Sequence, residues 1–218
     1  MIITIDGPGA AGKGTISKLL AEHLEFAYFD TGLIYRAVGL YMHLNNLEIE
    51  DENIATQTAE KLTYNDMLEI AKHKDLRTDI GSVAASKVAA YTKVRSALLD
   101  LQRNFALNPI LESGKESEGV IYDGRDTGTT ICPNADVKFF ITASSEIRAK
   151  RRYEELKEKN IDTSFEKVLE DMISRDERDR NRASSPLKAA DDAIIIDTSK
   201  LSIEQVFDKC MGIISQKR

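Results

Sequence analysis

The sequence predicts an α/β protein built on a five-stranded parallel sheet flanked by helices, and two observations lead to this fold class. Five short runs rich in β-branched and aromatic residues are spread along the 218 residues, and loop or helix signals follow the first four. Continuous apolar runs are typical of parallel strands buried on both faces, and their alternation with helices predicts βαβ units. The runs are Ile2–Ile5, Phe26–Phe29, Val120–Tyr122, Val137–Ile141 and Ala193–Ile196.

Two further segments carry helix signals. Thr163-Ser-Phe-Glu166 has the spacing of a capping box, in which Thr163 would cap a helix and Glu166 would reach back to it. Apolar side chains at helical spacing then follow, namely Val168, Leu169, Met172 and Ile173. Leu98–Leu107 predicts another helix, which returns the chain to the sheet.

The chain is predicted to form a single domain over residues 1–218, with an insertion at about 58–95. The insertion range alternates polar and small residues and has no long apolar run of the strand type. We therefore expect it to pack beside a core sheet formed by about 1–57 and 96–218, and not to fold as a separate half.

The overall charge restricts the partners of this chain. Thirty Lys and Arg against 36 Asp and Glu give a formal net charge of −6, which disfavours a general nucleic-acid binder but not small phosphorylated substrates. No apolar stretch approaches the ~18 residues of a membrane span, and the N-terminus lacks a signal-peptide pattern. The two cysteines, Cys132 and Cys210, lie far apart and indicate a reducing compartment. We expect a cytoplasmic monomer with no nucleic-acid or membrane partner.

A glycine-rich stretch directly after the first predicted strand is the strongest functional signal. Gly7, Gly12 and Lys13 fit the G-x-x-x-x-G-K part of a Walker A loop, and a helical pattern follows. Glycines let the backbone curl so that successive N–H groups converge on phosphate oxygens, while the helix N-terminus and the lysine add positive charge. The sequence therefore predicts a nucleotide phosphate site on a P-loop NTPase-type fold. The stretch comprises Gly7, Pro8, Gly9, Ala10, Ala11, Gly12, Lys13, Gly14 and Thr15.

The residue after the lysine departs from the simple pattern, because Gly14 stands where Ser or Thr is expected. The order Gly-Lys-Gly-Thr resembles the phosphate loop of nucleoside-monophosphate kinases. This resemblance implies that Thr15 supplies the hydroxyl on the Mg²⁺ side.

Charged residues follow the second and third predicted strands, in Asp30-Thr-Gly-Leu-Ile-Tyr-Arg36 and Asp123-Gly-Arg-Asp126. In an open α/β sheet, ligands bind outside the carboxyl ends of the strands. Arg36 and Arg125 can each hold a phosphate dianion through two guanidinium nitrogens, and Asp123 is placed like a Walker B acid that holds Mg²⁺. The alternatives are surface salt bridges for the arginines and a turn or helix cap for Asp123.

A third charged cluster, Ser174-Arg-Asp-Glu-Arg-Asp-Arg-Asn-Arg182, follows a helical pattern. On a helix, positions 175, 178, 179 and 182 share one face, whereas Asp176 and Arg180 lie on a neighbouring face. Three arginines exceed what Asp179 alone can pair, which favours an anion-binding face. The alternative is a solvated helix face with internal ion pairs.

At this point the sequence resembles the bacterial cytidylate kinases, and the resemblance runs over nearly the whole chain. The motifs occur in the family's order: GPGAAGKGT, FDTGLIYR, the stretch from Arg77 to Arg95, DGRDTGT and RDERDRNR. The Gly9-Ala10 pair departs from a more usual Ser-Gly. We expect little consequence, because both positions contribute mainly backbone.

The resemblance implies roles for individual residues. Arg36 and Arg125 would clamp the acceptor phosphate, and 58–95 would be the insertion that binds the nucleoside monophosphate. A helix bearing Arg148, Arg151 and Arg152 would lead into a short lid at about 158–165, with Asn160–Ser164 closing over ATP. The implied base and sugar set is Ser86, Arg95, Arg175, Asp179 and Arg182, with Asp30, Thr31, Tyr35 and Asp126 lining the same cleft.

The expected reaction is phosphoryl transfer from ATP to CMP or dCMP, with Lys13, Arg36, Arg125 and Asp123 in the catalytic roles and Mg²⁺ held by Thr15 and by Asp123 through water. The alternative within the same chemistry is another small-molecule P-loop kinase, such as a UMP/CMP, adenylate or shikimate kinase. A regulatory GTPase is disfavoured because no N/TKxD guanine motif is present. A nucleic-acid module built on the arginine helix is disfavoured by its interleaved acids.

Overall fold

A computed structural model describes residues 1–217, with the side chains of all of these except Arg77 and Asp79. Arg77, which begins one of the family-like motifs, therefore has a side chain outside the described residues. The chain forms a five-stranded sheet in the order β2-β3-β1-β4-β5, and this confirms the predicted fold class. The strands are β1 (Ile2–Asp6), β2 (Ala27–Asp30), β3 (Val120–Gly124), β4 (Val137–Thr142) and β5 (Ile194–Asp197).

The register of the central strands determines which side chains meet at the carboxyl edge of the sheet. β1 lies between β3 and β4 and runs parallel to both. Ile5 stands opposite Asp123 on one side and Phe139 on the other. The glycine-rich stretch that follows β1 is therefore adjacent to the charged segment that follows β3, as expected for parallel strands.

The described residues divide into two compact units. The first contains Met1–Phe29, Pro109–Asn181 and the chain from Pro186 onward. Its helices are α1 (Lys13–Leu24), α7 (Ser145–Glu158), α8 (Phe165–Asn181) and α9 (Ile203–Ile214). Its core is formed by apolar side chains of the central strands packed on α1 and α9, including Ile3, Ile5, Leu20, Phe139, Ile141, Val206 and Ile214.

Strand β5 differs from the expectation that every strand is buried on both faces. Ile196 is buried, but Ile194 and Ile195 are 38% and 64% exposed. β5 is the last strand of the sheet and is paired only with β4, so part of its apolar run faces solvent.

The predicted cap of α8 lies one residue too early. The helix begins at Phe165, and the Ser164 hydroxyl accepts a hydrogen bond from the Lys167 N–H. Both Thr163 and Ser164 are good capping residues. Ser164 stands directly before the first helical residue, and it therefore takes this role in place of Thr163.

The second unit contains Asp30–Asn108 and Arg182–Ser185, a wider range than the 58–95 assigned from sequence. It is helical, and Gly39 lies so close to Ala84 that a Cβ at position 39 would approach the Ala84 Cβ to 2.8 Å. The helix expected over Leu98–Leu107 begins earlier, at Thr92. The elements are α2 (Thr31–Leu44), α3 (Glu52–Lys61), α4 (Tyr64–Ile70), a 3₁₀ turn (Lys74–Arg77), α5 (Asp79–Val88) and α6 (Thr92–Phe105). Among the described residues, no helix is both long and apolar enough to cross a membrane.

Candidate nucleotide site

The glycine-rich stretch forms a tight loop between β1 and α1. Gly7 has φ +145°, and a Cβ there would lie 1.9 Å from the carbonyl oxygen of Ile141. Gly12 has φ +94° and precedes α1 without a side-chain cap, so the amides at the start of this helix receive no side-chain oxygen from that position. Uncapped amides at a positive helix end can bind an anion, and the binding of ATP phosphates by this loop stays a prediction.

Ala10 adopts a left-handed backbone conformation, with φ +57°. An alanine in this region costs roughly 1–2 kcal/mol more than in the ordinary helical region, a penalty that glycine does not incur. Replacing the family's more usual glycine at this position therefore has an energetic consequence, contrary to the expectation that the difference is unimportant.

Lys13 is the central cation of the loop. Its side chain is buried, its Nζ donates to the Pro8 carbonyl oxygen at 3.0 Å, and the same nitrogen lies 4.0 Å from Asp123 Oδ1. Burial, helped by the guanidinium groups of Arg125 and Arg175, lowers the pKa of Lys13 to about 7, although Asp123 acts in the opposite direction. Cations are thus crowded around this lysine, an arrangement that favours a bound anion.

Asp123 lies at the end of β3, next to the start of α1. It accepts a hydrogen bond from the Tyr28 hydroxyl at 3.3 Å, and a Cβ at position 14 would come within 3.2 Å of Asp123 Oδ2. A Ser or Thr at position 14 would therefore require the Asp123 carboxylate to shift by a few tenths of an ångström. Glycine at position 14 avoids this tight contact, and the hydroxyl of this loop is found at Thr15, an exposed residue in the first turn of α1.

The oxygen ligands at this end of the sheet suit Mg²⁺. The ion prefers hard oxygen ligands and is usually held by one or two carboxylates together with substrate phosphates. Asp123 and Thr15 offer one carboxylate and one hydroxyl. Within residues 1–217 as described, no group of three or more His, Cys, Asp and Glu could hold a metal without such phosphates.

Arg125 is oriented by α8. Its Nε lies 3.2 Å from Asp179 Oδ2, and its Nη1 donates to the Gly124 carbonyl oxygen. The structure thus brings four predicted residues together at one edge of the sheet: Lys13, Asp123, Arg125 and Asp179. Arg175 belongs to the same charged group, because its charge affects the pKa of Lys13.

Asp6 is a residue of this region that the sequence analysis missed. Its buried carboxylate accepts hydrogen bonds from the Thr127 and Gly128 N–H groups, at 2.9 and 2.8 Å. Burial raises the pKa of Asp6 to about 6, against the effect of those two bonds. Asp6 fixes the turn that follows the buried Asp126. The sequence feature that could have identified Asp6 is its position as an acid at the end of an apolar strand, directly before the glycine-rich loop.

The buried face of α8 differs from the predicted stripe. Asp176 and Asp179 are buried on it, whereas Arg178 is exposed and donates to the Ser174 hydroxyl. The helix ends at Asn181, so Arg182 does not continue the stripe. The prediction that Arg178 shares a face with Asp179, and that Asp176 does not, is therefore wrong.

The three arginines of α7 bind protein groups. Arg148 is fully buried beside Asp176, Arg151 donates to the Thr198 hydroxyl and carbonyl oxygens, and Arg152 pairs with Glu155 on the same helix. Their direct contact with ATP, and the closing of a lid at about 158–165, stay predictions.

Several predicted acceptor residues lie in the second unit. Asp30 caps α2 by accepting from the Leu33 N–H, and its Oδ2 lies 4.0 Å from Arg36 Nη1. The Arg95 guanidinium stacks over the Tyr35 ring, 5.3 Å from its centroid. A Cβ at position 32 would lie 2.9 Å from Arg36 Nη1, so glycine there leaves room for this guanidinium. Thr31 and Ser86 are buried, and Arg182 donates to the Ser185 carbonyl oxygen at 2.6 Å.

Comparison with known proteins identifies the family of this chain. The model of the cytidylate kinase family matches residues 3–216. The chain is 50% identical over 217 residues to a cytidylate kinase of Paramagnetospirillum magneticum, with 100% of this chain and 99% of the relative covered. The chain belongs to the cytidylate kinase family.

A second relative supports this membership, and a solved structure shares the fold. A cytidylate kinase of Azorhizobium caulinodans is 47% identical, with complete coverage of both chains. A sugar kinase from Janibacter sp. HTCC2649 has a TM-score of 0.50 at 12% identity, with 98% and 94% of the two chains covered, and this likeness concerns the fold alone. Membership of the cytidylate kinase family confirms the resemblance on which the sequence analysis relied.

Proposed function

We propose that this chain transfers the γ-phosphoryl group of ATP to CMP and dCMP, giving ADP and CDP or dCDP. The observation that carries the proposal is the position of Lys13, buried in the phosphate loop beside Asp123 and Arg125. This cluster lies in a chain that the cytidylate kinase model matches over residues 3–216.

The chemistry needs no general base, because the attacking phosphate oxygen of the acceptor is already an anion. Rate enhancement then depends on in-line positioning and on neutralising charge in the transition state. Lys13 neutralises the transferred phosphoryl group, while Arg125 binds the acceptor phosphate and is held in position by Asp179. Asp123 and Thr15 would hold Mg²⁺, which would supply positive charge to offset the negative charge of the ATP phosphates.

We assign the acceptor nucleotide to the residues that the family resemblance implies. Cytosine presents O2 and N3 acceptors beside an N4 donor, so guanidinium groups and a hydroxyl can bind its edge. The position of the Arg95 guanidinium over the Tyr35 ring supports this assignment, because the contact places one guanidinium beside another proposed acceptor residue. The proposed acceptor set is Asp30, Thr31, Tyr35, Arg36, Ser86, Arg95, Arg125, Asp126, Arg175, Asp179 and Arg182.

Substrate profiling with ATP and each nucleoside monophosphate tests the proposed function. CMP and dCMP should be used with the highest kcat/KM, and titration calorimetry should show tighter binding of CMP than of UMP. A preference for AMP, GMP or UMP would contradict the proposal and would favour the adenylate or UMP/CMP kinase alternative.

Replacing Arg182 should affect the acceptor and not ATP. Arg182→Met is expected to raise the KM for CMP and reduce kcat/KM for CMP about 10–100-fold, the cost of about 1.5–3 kcal/mol for a lost hydrogen bond to a charged group. The Kd for ATP should stay unchanged. Arg178→Met is the matched control, because Arg178 is an exposed arginine on the preceding helix. Equal loss of ATP affinity in Arg182→Met would contradict the assignment.

ATP binding should be accompanied by proton uptake at pH 8. With a pKa of about 7, Lys13 is mostly uncharged at pH 8 in the ligand-free protein. Bound phosphates favour its charged form, so binding should take up a net fraction of one proton. Titration calorimetry in buffers of different ionisation enthalpy measures this number. Lys13→Met should abolish the uptake, and an unchanged uptake in that variant would assign the proton to another group.

A further inference from the structure

The carbonyl oxygens of the phosphate loop require hydrogen-bond donors from the protein. Amides that converge on phosphates leave neighbouring carbonyls directed elsewhere, and buried carbonyls need partners. Three such oxygens receive donors from three different places. Lys13 Nζ donates to the Pro8 oxygen at 3.0 Å, Arg148 Nη1 donates to the Gly9 oxygen at 3.2 Å, and Thr198 Oγ1 donates to the Ala11 oxygen at 3.0 Å.

Among these three donors, Arg148 forms the most hydrogen bonds. Its side chain is 2% exposed, and all three of its guanidinium nitrogens are bonded. Nε donates to the Ala143 carbonyl oxygen at 2.9 Å, and Nη2 donates to the Ser145 hydroxyl at 3.1 Å and to Asp176 Oδ2 at 2.6 Å. The planar guanidinium can serve these directions at once, which the single ammonium group of lysine cannot.

Asp176 connects this arginine to α8. The carboxylate is buried, its Oδ2 accepts from Arg148, and its Oδ1 accepts no hydrogen bond among the described residues. Asp176 lies one turn before Asp179, the residue that orients Arg125. One buried ion pair therefore joins the phosphate loop to the helix that orients the proposed acceptor-phosphate arginine.

We propose that Arg148 and Asp176 are a positioning pair, which holds the phosphate loop in its binding conformation and aligns it with Arg125. This inference rests on the proposed phosphoryl transfer and deepens it. It assigns Arg148 an indirect role in place of the direct ATP contact implied by the family resemblance. The loop amides bind phosphate only if the Gly9 carbonyl stays directed toward α7, and Arg148 is the donor that keeps it there.

The double variant Arg148→Met/Asp176→Leu separates positioning from stability. Exchanging a buried ion pair for apolar side chains of similar size is often neutral or stabilising, whereas removal of one partner is costly. The double variant should therefore have a higher Tm than Arg148→Met alone, although both lose the donor to the Ala143 and Gly9 oxygens. It still lacks the donor to the Gly9 oxygen, so its Kd for ATP should weaken about tenfold and its kcat for CMP should fall at least about tenfold.

Asp176→Asn tests the same pair without removing an acceptor for Arg148. It should lower kcat and weaken ATP binding in the same direction as Arg148→Met, and the two effects should be non-additive when combined. Lys150→Met, an exposed position on α7, is the control and should change neither quantity.

Two results would overturn the inference. Wild-type kcat and ATP affinity in a folded double variant would make the pair purely structural. Loss of ATP binding in Arg148→Met with none in Asp176→Asn would show that Asp176 is not part of the positioning pair. If the double variant does not fold, the kcat and ATP affinity of Asp176→Asn test the inference by themselves. The ATP titration does not require CMP to be the acceptor, so failure of the proposed function is distinguishable from failure of the positioning role.

Discussion

Gly7→Ala is expected to destabilise the folded chain by more than about 3 kcal/mol, the range of severe single substitutions. Two costs combine at this position. The backbone has φ +145°, which L side chains rarely adopt, and the added Cβ would lie 1.9 Å from the Ile141 carbonyl oxygen. Ile141 belongs to β4, an interior strand paired with β1 and β5, so this oxygen cannot move without disturbing strand pairing. Urea unfolding followed by circular dichroism measures the loss.

Alanine substitutions at two other glycines distinguish the cost of the backbone conformation from the cost of the close contact. Gly114 has φ +82° with no atom near the added Cβ, so Gly114→Ala should cost only about 1–2 kcal/mol for the left-handed backbone. Gly212 lies in α9 with open space around it, and Gly212→Ala should stabilise the chain by about 0.5–1 kcal/mol. If Gly7→Ala cost no more than Gly114→Ala, the close contact with Ile141 would not exist in solution.

Lys13→Met is expected to lower kcat at least about 100-fold, the loss typical for removal of one preorganised group that neutralises transition-state charge. Methionine has similar length, but it also leaves the Pro8 carbonyl oxygen without the donor that Lys13 supplies. Steady-state kinetics at saturating ATP and CMP measures the effect, because saturation excludes a loss that is only in binding.

The stability of Lys13→Met provides a second measurement with a defined sign. The pKa of Lys13 is lowered in the folded state, so the charged lysine destabilises the ligand-free fold, fully below about pH 7 and progressively less as pH rises toward the unfolded value of 10.5. The variant should therefore gain more stability at pH 6 than at pH 10. A larger gain at pH 10 would contradict the assigned pKa shift.

Lys18→Met is the matched control for both measurements. Lys18 lies on the same helix but is exposed, with its ammonium group 5.8 Å from the Tyr28 ring centroid. Its replacement should leave kcat within about twofold, because surface substitutions away from special features usually change stability and geometry little. A comparable loss of activity in Lys18→Met would mean that the effect at Lys13 is not specific to the loop.

Local patterns were sufficient to predict the parts of the fold that depend on neighbours in sequence. Each of the five apolar runs overlaps a strand, and the stretch from Gly7 to Lys13 forms the loop between β1 and α1. Asp123 and Arg125 stand at the end of a strand adjacent to that loop, as their spacing predicts. These features follow from the period of side chains along a strand, from glycine's backbone freedom and from the rule that ligands meet the carboxyl ends of parallel strands.

The tertiary structure decided which charged side chains are buried and what they bind. Arg148 and Arg178 both lie in highly charged helical segments of the sequence. In the structure, however, Arg148 is buried against Asp176, whereas Arg178 is exposed. The hydrogen bonds of Asp6 are made with a turn more than 120 residues away in sequence, at Thr127 and Gly128, so the sequence around Asp6 does not reveal them. Local composition cannot distinguish such residues, because the cost of burying a charge depends on partners brought from distant parts of the chain.

The sequence by itself thus determined the sheet, the phosphate loop and the family to which this chain belongs, because each depends on short-range patterns of apolar residues, glycines and motif order. Only the tertiary structure decided the conformation of Ala10, the face of α8 that is buried and the donors that hold the loop. The physical reason is that hydrogen-bond satisfaction in the interior is a property of the whole packed molecule and not of any one segment.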